Sequence, residues 1–340
     1  MALLSEIVNG LGGMAQKQQL VRRGVGDRDL THAVRVGDVV RVRNGWYSTM
    51  DERSPELRAV RVGGRMTGIS AIAARGGWVL DEHPLHVAVK VNAARLRTQH
   101  NRHRLLKVKS PGGLVVHWVE AGQAARGTAV SVGILDALER VVLDEDFETA
   151  IAALDWALHT RQVDTIDLET LILRLPAERR GIRDWVDEAC ESLPESLART
   201  RLRLAGYRLE SQVPLGDIQR IDLVVEGQIG IEVDGRGSHL ERFEYDRGKD
   251  VDITLDHKHA MRPSANIVFH DWDRFALAVA TALADRGVIV ENSGTSQRHP
   301  LRSRALVGFR RRPPRRIPEF SKQEWGRAGM GVGRSRLGSP

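Results

Sequence analysis

Two short apolar runs around a glycine, each carrying carboxylates, constrain the fold of this chain more than any other feature. The runs are RIDLVV at 220–225 and IGIEVD at 229–234. Their Ile and Val content and the glycine between them predict a β-hairpin. If the loop is residues 226–228, the pairing places Asp222 directly across from Glu232, on the same face of the sheet. A two-residue loop would place them on opposite faces.

These carboxylates are expected to form a metal site. Apolar residues flank Asp222, Glu232 and Asp234, and a carboxylate among apolar side chains is costly without a cation or another partner. Mg²⁺ and Mn²⁺ bind carboxylates together with phosphate oxygens. Such an ion lowers the pKa of bound water and shields a phosphodiester during in-line attack. The three residues therefore predict a Mg²⁺ (or Mn²⁺) site that hydrolyses phosphodiester bonds.

The surrounding pattern predicts an α/β sandwich with a central mixed sheet. A helix is expected to begin near Ser192 and to stop at Gly206, followed by an extended stretch, the hairpin and a charged helix. The run ANIVFHDW, at 265–272, is expected to add another strand before a last amphipathic helix. The order is helix, three strands, helix, strand and helix.

The segments SLPES, RIDLVV, IEVDGRGSH and FEYDRGKD together resemble a domain-of-unknown-function family related to the very-short-patch mismatch repair endonucleases, within the restriction-endonuclease-like superfamily. The resemblance implies a metal-dependent DNA endonuclease. Its catalytic positions would be filled by Glu195, Asp222, Glu232, Asp234, His239 and Lys249. It also matches Asp250 and Arg262 to charged positions of the family. Asp234 stands where the superfamily usually has a lysine, which Lys249 could replace from the following helix.

Several of these residues have an alternative role. Ser192 and Glu195 also form a capping box, in which the glutamate only satisfies the helix N-terminus. His239 is either a general base or phosphate ligand, or a structural histidine after a strand. Lys249 either neutralises the transition state or lies on a solvated helix face.

The N-terminal residues predict a winged helix-turn-helix. After a first apolar helix, a second is expected over 15–23 and a third over 27–36, with Asp27 as a possible cap. Asn44-Gly45 between extended residues predicts a tight hairpin. Three short helices followed by a hairpin are typical of the winged motif.

In a DNA-binding version of this motif the third helix enters the major groove. The expected DNA contacts lie on that helix and on the hairpin: Arg28, Thr31, His32, Arg35, Arg41 and Arg43. Residues 14–48 carry seven Lys/Arg against three Asp/Glu, a net charge of +4, which favours phosphate contact. The alternative is a dimerisation or protein-docking module whose arginines are solvated.

The run QLVRRGVGDRDLTHAVRVGDVVRVRNGWYS, followed by GISAIAARGGW, resembles the winged-helix domain and linker of abortive-infection type IV antitoxin proteins. That resemblance implies DNA binding and transcriptional autoregulation. Antitoxin activity would also require a cognate toxin as a partner.

The middle of the chain is the most basic folded stretch. Residues 58–109 carry eleven Lys/Arg against two acidic residues, so they are expected either to follow a nucleic-acid backbone or to form an exposed basic loop beside acidic neighbours. Its histidines come in two pairs without carboxylates at ligand spacing, and we interpret them as surface or core residues: His83, His86, His100 and His103.

Charge and cysteine content set the remaining limits. Residues 296–340 carry a net +10 and the rest of the chain −3, so the net positive charge lies in a tail that is too polar to fold alone. The single Cys190 excludes a disulfide scaffold and a cysteine-based zinc site. No apolar run is long enough for a membrane span, and the N-terminus lacks the pattern of a signal peptide, so we expect a soluble cytoplasmic protein.

The sequence thus predicts an α/β (α+β overall) chain in five segments. These are 1–50 (winged helix-turn-helix), 51–125 (basic, β-rich), 126–189 (helical, connecting), 190–290 (restriction-endonuclease-like) and 291–340 (basic disordered tail). The predicted function is a DNA-binding protein with a Mg²⁺-dependent endonuclease domain. The alternative is a catalytically inactive DNA-binding regulator, antitoxin-like or repressor-like. Charge alone does not exclude RNA as the substrate, and both a monomer and a homodimer remain open.

Overall fold

Helices alternate with four small sheets along the chain, in agreement with the predicted mixture of α and β structure. The structure is a computed structural model that describes 3–80, 83–107, 112–120, 126–234 and 240–288, with the side chains of 240–246 excepted. Within these residues no helix is long and apolar enough to cross a membrane. The predicted basic tail and His239 lie outside the described residues.

The first fifty residues form three short helices and a three-stranded sheet around their own apolar core. In chain order the elements are α1 (Leu4–Asn9), β1 (Met14–Gln16), α2 (Lys17–Val21), α3 (Asp27–Val36), β2 (Val40–Arg43) and β3 (Trp46–Ser48). Strand β3 lies between β1 and β2. The predicted Asn44-Gly45 turn is confirmed, with Gly45 in the left-handed region at φ +74°.

Two sequence predictions in this segment need correction. The second helix is shorter than predicted, because Ala15 and Gln16 pair with β3 as part of β1. Asp27 is not the cap of α3. The N-cap is Gly26, whose backbone N–H donates to the Asp29 carboxylate at 2.9 Å. Asp27 instead pairs with Lys17 at 2.6 Å.

A single hydrophobic core joins the β-rich and helical parts of the middle segment. The elements are α4 (Pro55–Val62), β4 (Arg65–Met66), α5 (Gly68–Ala73), β5 (Leu85–Lys90), β6 (Arg97–Thr98), β7 (Asn101–Leu105), β8 (Leu114–Val119), α6 (Ile134–Asp144), α7 (Phe147–His159), α8 (Thr165–Arg174) and a 3-10 helix (Ala177–Trp185). Strands β5 and β8 run parallel to each other. The core includes residues on both sides of the predicted boundary at 125/126, from Ala59 to Trp185.

The C-terminal segment is a four-stranded mixed sheet with helices. Its elements are α9 (Leu193–Leu204), β9 (Leu209–Leu215), β10 (Gln219–Val225), β11 (Ile229–Ile231), α10 (Leu240–Leu255), β12 (His259–Met261), α11 (Ala265–His270) and α12 (Trp272–Asp285). The strand order is β12-β11-β10-β9, in which only β11 and β12 are parallel. The predicted helix from Ser192 and the predicted mixed sheet are confirmed.

The predicted strand at 265–272 is wrong, because these residues form α11 and the start of α12. The Ser264 hydroxyl caps α11 by accepting a hydrogen bond from the Ile267 N–H at 3.4 Å. Ala265 and Val268 are buried three residues apart, which is the spacing of one helix face. The strand that follows α10 is β12, which pairs with β11.

A fully buried carboxylate connects the middle and C-terminal segments. Asp155 of α7 accepts hydrogen bonds from the Ser196 hydroxyl at 2.6 Å and from the Arg199 guanidinium at 3.0 Å, both on α9. It also accepts one from the backbone N–H of Asp187 at 2.8 Å. Burial raises the pKa of Asp155 to about 6, and Arg199 opposes that rise. The contact fixes α9 against α7, and α9 carries Glu195.

Replacing Arg199 by alanine is therefore expected to lower the free energy of unfolding by about 3–5 kcal/mol, because a buried charge loses its partner. Chemical unfolding followed by tryptophan fluorescence measures this change in the free energy of unfolding. Trp185 lies at the contact, and its backbone carbonyl accepts a hydrogen bond from Arg199. The control is Arg183→Ala, which breaks the exposed pair with Glu169 and should cost about 1 kcal/mol or less. Equal losses in the two variants would contradict the role given to Asp155.

Candidate functional site

The register of the β10–β11 hairpin brings the two central carboxylates together. Val225 pairs with Ile229 and Leu223 pairs with Ile231, so the loop has the three residues that were predicted. One further step along the ladder places Asp222 opposite Glu232. The predicted register is confirmed.

Backbone hydrogen bonds hold both carboxylates at the end of this hairpin. The Asp222 carboxylate accepts a hydrogen bond from the backbone N–H of Val233 at 2.9 Å. The Glu232 carboxylate accepts one from the backbone N–H of Asp222 at 3.2 Å. Glu232 is buried, with an exposed fraction of 4%. Both side chains are therefore held by the strands themselves.

Glu195 joins this pair from the first turn of α9. Its carboxylate accepts hydrogen bonds from the Ser192 hydroxyl at 2.7 Å and from the Glu191 N–H at 3.0 Å. The Ser192 hydroxyl accepts from the Glu195 N–H, so the predicted capping contact exists. The same carboxylate is also close enough to Asp222 for the two charges to repel each other. Glu195 thus caps the helix and contributes charge to the site.

Two basic side chains form ion pairs with the acidic group. Lys249 of α10 donates to the Glu232 carboxylate at 2.5 Å. Arg262, just after β12, donates to Asp234 at 3.0 Å and to Asp250 at 2.7 Å. Lys249 therefore lies at the site and not on a solvated helix face. Asp234 is paired with Arg262.

Negative charge exceeds positive charge among the site residues named above. In the part of the chain that the structure describes, these are five carboxylates and two cations, a formal net charge of −3: Glu195, Asp222, Glu232, Asp234 and Asp250, with Lys249 and Arg262. Burial, followed by repulsion from Asp222, raises the pKa of Glu195 and of Glu232 to about 7. Burial also raises the pKa of Asp222.

The donor chemistry of these residues fits Mg²⁺, which is a hard ion that prefers carboxylate oxygens. The three predicted metal ligands are nevertheless not gathered around one point. Among the described residues, one group alone has three ligand atoms within 4.8 Å of one another, and it consists of His86, His117 and Asp144. Asp222 and Glu232 are adjacent, whereas Asp234 is turned to Arg262.

The sequence interpretation missed the histidine group because its members are remote in the chain. His86 and His117 are 31 residues apart and lie on the parallel strands β5 and β8, and Asp144 ends α6. The pairing of β5 with β8 was not predicted. An alternating strand with a histidine is the only signal that the sequence offered.

The residues predicted to contact DNA fall into two groups. On α3, the side chains at i, i+3, i+4 and i+7 are exposed on one face: Arg28, Thr31, His32 and Arg35. On the hairpin, Arg41 donates to Asn44 at 2.9 Å. Arg43 is half-buried against Gly63, and burial lowers its pKa. The side chains on this face of α3 are therefore exposed to solvent, whereas the Arg43 side chain is only partly exposed.

Comparison with protein-family models and with curated proteins finds no match for this chain. The functional interpretation accordingly rests on the geometry described above.

Replacing Asp222 by asparagine is expected to stabilise the protein by about 1 kcal/mol in EDTA at pH 8, because one of the mutually repelling buried carboxylates becomes neutral. An amide at this position keeps an oxygen for the Val233 N–H and gains a donor for Glu232. Thermal or chemical unfolding measures the change. The matched control is Asp217→Asn in the exposed β9–β10 turn, with an effect within about 0.5 kcal/mol. A destabilised Asp222→Asn protein would show that the acidic group is not strained.

Proposed function

We propose that the chain is a Mg²⁺-dependent DNA endonuclease that hydrolyses phosphodiester bonds. The observation that supports it most is the pairing of two carboxylates on neighbouring strands, the half-buried Asp222 and the buried Glu232, with Lys249 in contact with Glu232. Carboxylates in such surroundings are costly without a cation, and the site retains an excess of negative charge. A structural role alone would be served better by apolar side chains.

In this proposal Asp222 and Glu232 would hold the metal and Glu195 would add charge from α9, while Asp234 is paired with Arg262. When bound, Mg²⁺ would activate a water molecule and neutralise phosphate charge. Lys249, which is held beside Glu232, would place a positive charge near the phosphate as negative charge develops in the transition state. Arg262 fixes the position of Asp234 through its bonds to Asp234 and Asp250.

The fold described for each end of the chain supports this interpretation. A mixed sheet whose central hairpin carries the carboxylates, with α9 and α10 beside it, is the arrangement expected of a restriction-endonuclease-like domain. Three helices with a small antiparallel sheet are the arrangement expected of a winged helix-turn-helix. In that motif α3 would enter the major groove, and its exposed face carries Arg28 and Arg35.

A second candidate is a DNA-binding regulator, antitoxin-like or repressor-like, without catalysis. It is favoured by two contacts that neutralise predicted metal ligands within the protein itself. Lys249 binds Glu232, and Arg262 binds Asp234. A nuclease-like fold with internally paired acids is what a scaffold that has lost its metal would contain.

The experiment that separates the two candidates is a cleavage assay on supercoiled and mismatched DNA, with Mg²⁺, Mn²⁺ or EDTA. We expect cleavage with the divalent ions and a loss of at least about 100-fold in the Asp222→Asn/Glu232→Gln variant, since a site without its ligands cannot hold the ion. The Asp217→Asn variant should cleave like the parent. Single-stranded RNA in the same assay tests the substrate class.

Cleavage that is equal in parent and double variant would be due to a contaminant and would contradict the nuclease. Absence of cleavage from every protein, together with a persistent gel shift on DNA, would leave the regulator as the function.

Removal of Arg28 and Arg35 is expected to weaken DNA binding and its dependence on salt. If both contact phosphates, the slope of log K against log salt should become less steep by about 1.8. Fluorescence anisotropy at several salt concentrations measures this. The matched control is Arg183→Ala/Arg274→Ala, which removes two exposed charges outside the N-terminal segment. An unchanged slope in the first variant would favour the docking role of this module.

A further inference from the structure

A second group of metal-binding side chains lies in the middle segment, apart from the acidic site. His86 on β5 and His117 on β8 project from the same face of the two parallel strands, because His86 pairs with Val115 and Ala88 pairs with His117. Asp144, the last residue of α6, reaches the same place. Its side chain is 27% exposed, while those of His86 and His117 are 6% and 10% exposed.

Two distances in this group are close to those between ligands of a tetrahedral ion. His117 Nε2 lies 3.3 Å from His86 Nδ1 and 3.6 Å from Asp144 Oδ2, and the three residues offer ligand atoms within 4.8 Å of one another. Ligands at about 2.0–2.1 Å from a tetrahedral Zn²⁺ lie about 3.3–3.4 Å apart. The group is therefore nearly preformed for such an ion.

One of its atoms has no hydrogen-bond partner. Asp144 Oδ2 is buried and accepts no hydrogen bond, whereas Oδ1 lies 3.5 Å from the Arg140 guanidinium. A buried carboxylate oxygen without a donor is unfavourable. Oδ2 is also the atom that lies nearest to His117, so its missing partner belongs on the side of the two histidines.

The second nitrogen of the His86 ring lies on the side of a carboxylate. Nε2 is 4.0 Å from the Glu145 carboxylate, which is beyond hydrogen-bond distance, while Nδ1 faces His117. In metal sites the second nitrogen of a ligating histidine commonly lies toward a carboxylate, a carbonyl or water.

Charges of both signs surround the group. Asp144 and Glu145 lie at the C-terminal end of α6, where the helix dipole is negative. Two arginines oppose them: Arg140 lies on the Oδ1 side of Asp144, and Arg179 is close enough to attract the same carboxylate. His83 is also near, but its Nδ1 faces the Ser70 hydroxyl at 3.3 Å.

We propose that His86 Nδ1, His117 Nε2 and Asp144 Oδ2 bind one Zn²⁺ ion. Two imidazoles with one carboxylate are a borderline donor set, which suits Zn²⁺ and not Mg²⁺. The ion connects β5, β8 and the end of α6. Its fourth position is left for water or for an incoming ligand.

The test uses the full-length chain without a histidine tag, stripped with EDTA and titrated with Zn²⁺ alone. Calorimetry and metal counting after gel filtration should show one retained ion per chain, and Co²⁺ in its place should give the intense visible absorption of tetrahedral coordination. His117→Gln and Asp144→Asn should each weaken Zn²⁺ binding at least about 100-fold.

Two controls distinguish this site from others. His100→Gln changes an exposed histidine in the turn between β6 and β7 and should bind Zn²⁺ like the parent. The Asp222→Asn/Glu232→Gln variant should also bind Zn²⁺ like the parent. Circular dichroism shows whether His117→Gln remains folded, and the partly exposed Asp144 gives an independent variant. Failure of the parent to retain Zn²⁺, retention unchanged in both ligand variants, or loss of the ion in the Asp222/Glu232 variant would each overturn the proposal.

Discussion

The buried contact between Asp155 and α9 is the constraint on which the candidate site depends. A carboxylate with no exposed surface must have its hydrogen bonds satisfied, and here they come from Ser196, Arg199 and the backbone of Asp187. Two of these donors lie on α9 and the third in the loop before it, so together they hold α9 against α7. Glu195 lies at the start of that helix, so its place beside Asp222 depends on a contact in the middle segment.

In the acidic site, by contrast, the carboxylates repel one another. Asp222 repels both Glu195 and Glu232, yet the three are brought together; Lys249 donates to Glu232 and also attracts Asp222. Polar groups arranged against stability are typical of sites that act on a ligand. The apolar strands around them provide the free energy that keeps them in place, because Ile221, Leu223 and Ile231 are all buried.

The parts that could be predicted from the sequence were those set by local rules. The Asn44-Gly45 turn, the capped start of α9 and the three-residue loop after Val225 each follow from neighbouring residues. The run at 265–270 failed because its Ile, Val and Phe suit a strand as well as a helix, and the cap at Ser264 decided the outcome. The group around His86 could not be predicted, because a parallel pairing between remote strands leaves no spacing in the sequence.

In the proposed function, the charges of α3 and those of the acidic site have different parts. The exposed face of α3 is basic and needs no metal to attract phosphates, whereas the acidic group around Asp222 repels them unless a cation is bound. Affinity for DNA and access of a phosphodiester to the acidic site are therefore separate properties, located on different elements. In the proposed function, DNA binding by the exposed face of α3 would therefore not require a divalent ion, whereas a phosphodiester would approach Asp222 and Glu232 only when such an ion is bound.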